Sequence, residues 1–453
     1  MALLLSTASR ENLIKQVCHL LLLGVLGCCS VAATESPQLE AVPTITLSPG
    51  CPASFMLSDD NQCLLRNLYQ LYDSLGDHGI GGLKTALPAH RDGFSPQQID
   101  LGRLLFFDPV LSADQSVSCA SCHNPSQGFS DGMGRSVGIH GQQGTRSAPS
   151  LWNSAFIKDF FWDARAQSLE QQALSPLFSP QEMGNNPTQL ISSLEAIEAY
   201  PELFRQAFPH SEDLSLDQIA TALAAFQSSL ISLNSRYDQY AHGYAEALNR
   251  QEVEGLNIFR SFVARCSQCH MPPLFTNQQI AVIGTPEPEG MPRDIGAEKT
   301  FDSAKLKGGF KVPSLRNIAE TAPYMHSGRF ETLREVAEFY SGGRGHAVPE
   351  GEELLLHWHI SEPDLTGDEL DRLVDFMGTL SDSSLLPIIP QSVPSGLTTI
   401  SDEAVEQRAI SEIPISEVPI NEIPINEIPI SKKASSKKTI SEKNISESDH
   451  EKS

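Results

Sequence analysis

Two short motifs constrain this 453-residue chain more than any other feature. The runs "SCASCH" at 118–123 and "RCSQCH" at 265–270 each contain two cysteines three positions apart, with a histidine directly after the second. Two thiols at this spacing can bond to the two vinyl groups of one haem, and the adjacent imidazole can then reach the iron as an axial ligand. A chain that carries this motif twice must enclose a large planar group twice.

Two other uses of paired cysteines fit less well. A zinc ribbon needs its two cysteine pairs about 15–20 residues apart, and here they are much further apart. A thioredoxin-like redox pair needs a βαβ context, which the sequence pattern lacks. The sequence therefore predicts two covalently bound haem c groups. They are attached through Cys119, Cys122, Cys266 and Cys269, with His123 and His270 as the proximal iron ligands.

The amino terminus predicts the compartment. Arg10 and Lys15 precede the apolar run "LLLLGVLGCC", and the small residues "SVAA" follow it. This is the pattern of a secretory signal peptide over residues 1–33, because the apolar run is too short for a membrane span. We expect an exported, periplasmic protein. The segment "VLGC" at 25–28 also resembles a lipoprotein box, and only lipidation of Cys28 would place the protein on a membrane.

The net charge restricts the possible partners, and the remaining cysteines outside the signal region predict a disulfide. The formal net charge of −24 argues against nucleic acid as a partner, since phosphate binding requires clustered Lys and Arg. An acidic surface favours solubility and could attract a basic electron carrier. In an oxidising compartment, Cys51 and Cys63 are expected to form a short-loop disulfide rather than stay as free thiols.

Helix-start signals recur between the motifs. The segments "SPQQ" (95–98), "SLDQ" (215–218) and "TGDE" (366–369) have the capping-box pattern, and apolar residues at helical spacing follow the second and the third. The predicted fold is mainly α, with long loops. An irregular extension spans 34–94, and two haem domains span 95–245 and 246–385. The Pro-rich repeats and polar residues of 386–453 predict a disordered tail.

The segments around the motifs resemble those of the bacterial di-haem cytochrome c peroxidases and their relative MauG. The likeness runs from about residue 99 to 380 and includes "LGRLLFFDPVLS", "SAPSLWN", "FFWDARAQSLEQQA", "QEMG" and "VPSLRNIAETAPYMHSGRFETL". This resemblance implies two cytochrome c-like α domains with one haem each. It also implies that the first haem reacts with hydrogen peroxide and the second stores or delivers electrons.

The resemblance also implies catalytic residues. Glu182 in "QEMG" matches the family's catalytic glutamate, and Gln172 matches the glutamine that accompanies it. A carboxyl group at this place can move a proton between the two peroxide oxygens as their bond breaks. Trp162 matches the tryptophan between the two haems, where an indole can pass electrons, although it could also be a core aromatic.

The resemblance implies two further iron ligands. Tyr340 falls where the peroxidases have a methionine and MauG a tyrosine, so it is the predicted second ligand of the second haem, with Met325 and Met271 as rivals. His140 lies one place after the residue that ligates the first haem in many family peroxidases. It can ligate the iron, line the pocket or do neither.

A calcium site and the partners complete the expectations from the resemblance. Thr321 and Pro323 match carbonyl ligands of calcium, but Ser147 replaces the asparagine ligand and is a poorer donor.

One function that the resemblance implies is that of a peroxidase that receives electrons from a small cytochrome c or a cupredoxin. The alternative is a MauG-like enzyme that oxidises a residue such as Trp in a protein substrate. A plain electron-transfer cytochrome is disfavoured by Glu182 and Gln172.

Overall fold

A computed structural model describes residues 45–66, 87–211, 213–343, 348 and 353–399. The predicted signal peptide, the lipidation candidate Cys28 and most of the predicted tail lie outside these ranges. Within the described ranges, no helix has both the length and the apolar character that crossing a membrane requires.

The described residues form a mainly helical structure, as the sequence predicts. The α-helices are α1 (Pro96–Phe107), α2 (Leu169–Phe178), α3 (Pro187–Glu195), α4 (Ala199–Ala207), α5 (Leu216–Ser228), α6 (Arg236–Ala241), α7 (Arg250–Phe259), α8 (Cys266–Cys269), α9 (Glu298–Phe301), α10 (Leu333–Gly342) and α11 (Gly367–Gly378). Two antiparallel two-stranded sheets pair β1 (Phe55–Leu57) with β2 (Cys63–Leu65) and β3 (Ile280–Val282) with β4 (Gly309–Lys311). Phe55 lies opposite Leu65, and Ile280 lies opposite Lys311.

The three predicted helix starts are confirmed. Ser95, Ser215 and Thr366 are the N-cap residues of α1, α5 and α11, and each side chain accepts a hydrogen bond from the backbone N–H three residues later. The side chain of that third residue bonds back to the N-cap backbone in all three helices. Local side-chain chemistry therefore sets where these helices begin.

The apolar side chains form two main cores. The first joins α1 to α5 and contains Leu105, Phe106 and Phe226. The second joins α6, α7, α10 and α11 and contains Phe259 and Phe376. Its members run from Tyr237 to Leu380, whereas those of the first, Val393 apart, end at Leu230. The change of core thus falls between residues 230 and 237. The domain bounds 95–245 and 246–385 stay a prediction.

A buried ion pair holds α6 in the second core. The guanidinium of Arg316 is buried and donates two hydrogen bonds to Asp238, at 2.5 and 2.7 Å, while its Nε bonds to the Pro273 carbonyl. Asp238 belongs to α6, so this helix is joined to the segments that follow the second cysteine motif. A buried charge pair of this kind is costly to break, because either partner alone would be left without compensation.

Each core has a glycine where two helices cross. A Cβ added at Gly102 of α1 would lie 1.8 Å from the Ala222 carbonyl oxygen of α5. A Cβ added at Gly255 of α7 would lie 1.9 Å from the Arg372 carbonyl oxygen of α11. These contacts are with backbone atoms, which cannot move aside as a flexible side chain can. The same close approach between two helices therefore occurs in both cores.

Replacing Gly255 by Ala should destabilise the second core by about 2–3 kcal/mol, because the new methyl group forces α7 away from α11. Thermal unfolding of the holoprotein, followed by circular dichroism, measures this change. Gly378→Ala is the matched control, since an added Cβ at this position in α11 meets nothing within 4 Å. Equal melting temperatures for the two variants would show that the crossing is not tight.

The two ends of the described chain are attached to the folded domains. Cys51 and Cys63 form the predicted disulfide, with a Cα–Cα distance of 5.6 Å, and the Cys63 N–H bonds to the Phe94 carbonyl. After α11, Val393 is buried in the first core, and the Ser395 hydroxyl donates to Asp108 at 2.6 Å. The packed chain therefore continues past residue 386, the predicted start of the tail.

Candidate haem sites and the region between them

The first candidate site is built on a short 3₁₀ turn, Cys119–Ser121, that follows α1. His123 comes directly after this turn, and its Nδ1 lies 2.9 Å from the Phe129 carbonyl oxygen. A carbonyl can only accept, so Nδ1 carries the proton and Nε2 has the lone pair that a metal ligand needs. Burial lowers the pKa of His123, which favours this neutral form.

The second candidate site has the same construction. Cys266–Cys269 is the short helix α8, and His270 follows it. Its Nδ1 lies 3.1 Å from the Phe275 carbonyl oxygen and 3.2 Å from that of Pro313. Burial lowers the pKa of His270 to about 4, so this imidazole is also neutral with Nε2 as its free lone pair.

The chemistry of both sites fits a covalently bound haem. The four motif cysteines are not in disulfides, in contrast to Cys51 and Cys63. Burial raises the pKa of Cys119 and of Cys266 to about 12, so neither is a nucleophilic thiolate of a catalytic cysteine. The indole N–H of Trp152 is buried and has no acceptor among the described residues. A polar group of a bound ligand would satisfy it.

The predicted proton-transfer residues lie on one helix–turn unit. Gln172 is in α2, and Glu182 is in the turn that follows this helix, where its N–H bonds to the Ser179 carbonyl. The Glu182 carbonyl accepts a hydrogen bond from Ile139 at 2.8 Å. A Cβ added at Gly138 would lie 2.1 Å from the Gln181 carbonyl oxygen. The loop containing His140 is therefore packed directly on the Glu182 turn.

The side chain of His140 turns away from this contact. Its backbone has a φ of 56°, its side chain is 65% exposed, and its Nδ1 lies 3.4 Å from Asp114. The structure thus places this imidazole at the surface rather than inside the first site.

Trp162 connects the two halves of the chain. Its indole Nε1 donates to the Ser147 carbonyl oxygen at 2.9 Å, and its own carbonyl accepts from the Lys311 N–H at 2.7 Å. Its ring lies edge-on to the ring of His326, with centroids 6.5 Å apart. The tryptophan is therefore held by segments that follow each of the two cysteine motifs.

Tyr340 lies in α10, and burial raises the pKa of its phenol. Of the rival ligands, Met271 is 42% exposed and adjoins His270. That Tyr340 is the second ligand of the second haem stays a prediction.

The residues of the predicted calcium site are brought together only in part. The Ser147 hydroxyl donates to the Met325 carbonyl at 3.0 Å, and the Ser147 N–H donates to the His326 carbonyl at 2.8 Å. The Thr321 hydroxyl donates to the Ile318 carbonyl, and Pro323 follows a cis peptide bond. Ser147 thus contacts the segment just after Pro323 through direct hydrogen bonds.

Comparison with known proteins decides the family. Residues 96–246 match the family described as di-haem cytochrome c peroxidase. The methylamine utilization protein MauG of Methylorubrum extorquens is 35% identical over 297 residues, which cover 66% of this chain and 82% of that protein. The cytochrome c551 peroxidase of Nitrosomonas europaea is 33% identical over 317 residues, which cover 69% of this chain and 88% of that protein. The chain belongs to the di-haem cytochrome c peroxidase family.

A solved structure agrees with this assignment. A MauG-like protein associated with microbial copper homeostasis is 34% identical and superposes with a TM-score of 0.62, covering 68% of this chain and 97% of that protein. The diheme peroxidase BthA of Burkholderia thailandensis, at 24% identity and a TM-score of 0.59, shares the fold. This di-haem peroxidase-family protein is thus an oxidoreductase whose family carries two haem c groups.

The structure adds residues to this di-haem peroxidase that sequence reasoning missed. Arg146 forms salt bridges to Asp163 at 2.8 Å and to Asp294 at 2.6 Å, directly beside Trp162. His326 is buried and bonds to Glu287 at 3.0 Å. Arg146 and Asp294 are 148 residues apart in the sequence, and His326 and Glu287 are 39 apart, so no local pattern indicates these pairs. The one local signal is that His326 belongs to the "HSG" part of the family-like segment "VPSLRNIAETAPYMHSGRFETL".

Proposed function

We propose that this protein is a periplasmic di-haem peroxidase that reduces hydrogen peroxide with electrons from a small cytochrome c or cupredoxin. One observation carries the proposal. The same site occurs twice in one chain, each with a histidine whose Nδ1 is held by a backbone carbonyl, and Trp162 is hydrogen-bonded to segments following both. With two redox groups and an indole between them, one haem can react with peroxide while the other supplies the electrons.

The reaction needs two electrons and two protons for each peroxide, with two water molecules as products. Bound haem supplies the redox chemistry at both sites. Glu182 would hold and transfer the proton that moves between the peroxide oxygens, and Gln172 would orient the peroxide by hydrogen bonding. Because the His140 side chain is exposed, it would not hold the first haem, and His123 would be the histidine that does.

A MauG-like function is the second candidate, favoured by the position of Tyr340. A phenolate ligand stabilises ferric iron over ferrous iron, so a second haem bound by Tyr340 would suit the storage of oxidising equivalents better than the acceptance of electrons. Those equivalents would then oxidise a side chain, such as Trp, of a partner protein.

A calcium ion at Ser147, Thr321 and Pro323 remains a prediction, and metal analysis of the purified holoprotein tests it.

The first test is haem content. Denatured holoprotein should carry two haems that stay attached on a haem-stained gel and by intact mass, because thioether bonds survive unfolding. Cys266→Ser together with Cys269→Ser should leave one attached haem. A wild-type mass corresponding to one haem or none would contradict the proposal.

The second test separates the two functions. The holoprotein is mixed with hydrogen peroxide and reduced cytochrome c, and oxidation of the cytochrome is followed by its absorbance. Sustained turnover supports the peroxidase. Oxidation of the two haems by peroxide without turnover of the cytochrome supports the MauG-like function.

A further inference from the structure

Two carbonyl groups share the single proton of the His270 Nδ1. The Phe275 oxygen lies 3.1 Å from this nitrogen, and the Pro313 oxygen lies 3.2 Å from it. Each carbonyl oxygen carries a partial negative charge, so two oxygens that point at one N–H group repel each other. Other contacts must therefore hold both oxygens at hydrogen-bond distance from the ring.

Two side-chain hydroxyls join the segments that carry these carbonyls. The Ser314 hydroxyl donates to the Leu274 carbonyl at 2.6 Å, and the Thr276 hydroxyl donates to the Val312 carbonyl at 2.6 Å. Each bond links the residue that follows one of the two carbonyl-bearing residues to the residue that precedes the other. We call Ser314 and Thr276 the hydroxyl clamp, because together they prevent the two segments from moving apart.

Backbone hydrogen bonds fix the direction of both hydroxyls. Ser314 Oγ accepts from the Arg316 N–H at 3.1 Å, and Thr276 Oγ1 accepts from the Gln278 N–H at 2.9 Å. Each oxygen thus accepts from the residue two places later, which leaves its own proton for the opposite segment. Thr276 is also buried, so water does not compete for its hydrogen bond.

The first site has a matching pair of hydroxyls. The Ser150 hydroxyl donates to the Gly128 carbonyl at 2.6 Å, and the Ser130 hydroxyl donates to the Ala148 carbonyl at 2.9 Å. Gly128 and Ser130 flank Phe129, whose carbonyl is the hydrogen-bond acceptor for the histidine of that site. The pattern therefore accompanies the oriented histidine in both halves of the chain.

We propose that Ser314 and Thr276 are positioning residues that strengthen electron donation from His270 to the second haem iron. The proposal rests on the proposed function, in which His270 binds that haem. A hydrogen bond from Nδ1–H to a carbonyl makes the imidazole a stronger donor through Nε2. A stronger donor stabilises ferric iron relative to ferrous iron, so the hydroxyl clamp keeps the reduction potential of this haem low.

The test uses Ser314→Ala in the holoprotein, with both haem potentials measured by spectroelectrochemical titration, which needs no peroxide. Without the hydroxyl, one of the two repelling carbonyls can move away from the ring nitrogen. We expect the equilibrium of the second haem to shift about tenfold toward the ferrous form, which is about 59 mV for one electron. Thr276→Val, which removes the other hydroxyl at nearly equal volume, should shift it in the same direction. The first haem should keep its potential in both variants.

Three control variants separate this role from a structural one. Ser314→Thr keeps the hydroxyl and should keep the wild-type potential of the second haem. Ser150→Ala should raise the potential of the first haem and leave the second unchanged. Thr379→Val removes a hydroxyl bond of 2.7 Å to the Phe376 carbonyl at the end of α11, away from the hydroxyl clamp, and should change neither potential.

Three outcomes would decide the matter against us. An unchanged potential of the second haem in Ser314→Ala, with both haems attached, would overturn the proposal. An equal shift in Thr379→Val would also overturn it, because the loss of any buried hydroxyl bond would then suffice. A wild-type protein that carries two haems and shows the expected shifts but ignores peroxide would refute the proposed function alone.

Discussion

Replacing Glu182 by Gln should slow the reaction with hydrogen peroxide by about 10³-fold while both haems stay attached. The amide has nearly the shape of the carboxyl group but cannot accept and return a proton. Heterolysis of the O–O bond needs that proton to reach the departing oxygen, so the loss falls on the chemical step. The backbone contacts of residue 182, to Ser179 and Ile139, do not involve the side chain and should survive.

Stopped-flow absorbance after mixing with peroxide measures this rate. Glu195→Gln is a suitable control, because that carboxylate is exposed at the end of α3 in the same domain. Its rate should equal the wild-type rate. If Glu182→Gln reacted as fast as wild type, the proton would move by another group, and the assignment of the Glu182 turn to the peroxide side would be wrong.

Tyr340→Phe should raise the reduction potential of the second haem by on the order of 100 mV and change its ferric spectrum. An anionic oxygen ligand stabilises ferric iron, so its loss favours the ferrous form. The variant keeps the ring and its packing in α10 and removes only the hydroxyl. Spectroelectrochemical titration of the two haems measures both potentials in one experiment.

Tyr324→Phe is the matched control, since Tyr324 is a buried tyrosine of the same core. Both haem potentials should be unchanged in that variant. If Tyr340→Phe also left the second haem with its wild-type potential and spectrum, Tyr340 would not be a ligand and the peroxidase function would be favoured over the MauG-like one. Tyr340→Met, which supplies a thioether, should raise the potential further than Phe does.

Local chemistry explains what could be predicted from the sequence. The two cysteine motifs, the three capped helix starts and the Cys51–Cys63 disulfide each depend on residues within about a dozen positions of one another. A capping box needs only a side chain and a backbone group three residues apart, so Ser95, Ser215 and Thr366 could be identified without a fold. The family resemblance then placed Glu182, Trp162 and Tyr340 near the sites.

Contacts between distant segments could not be predicted in this way. The second carbonyl that orients His270 belongs to Pro313, 43 residues later, and Arg146 meets Asp294 across 148 residues. The packing of the loop that contains His140 on the Glu182 turn likewise joins segments about 40 residues apart.

The sequence by itself determined that the chain offers two haem attachment sites in a helical protein, because covalent spacing and helix capping are local properties. Only the tertiary structure decided which core holds α6, that Val393 packs in the first core and Ser395 bonds to Asp108, and that Glu287 and His326 meet beside Trp162. These contacts depend on how whole helices and loops pack. Many sequences with the same local patterns could pack differently, so the local patterns do not specify the contacts.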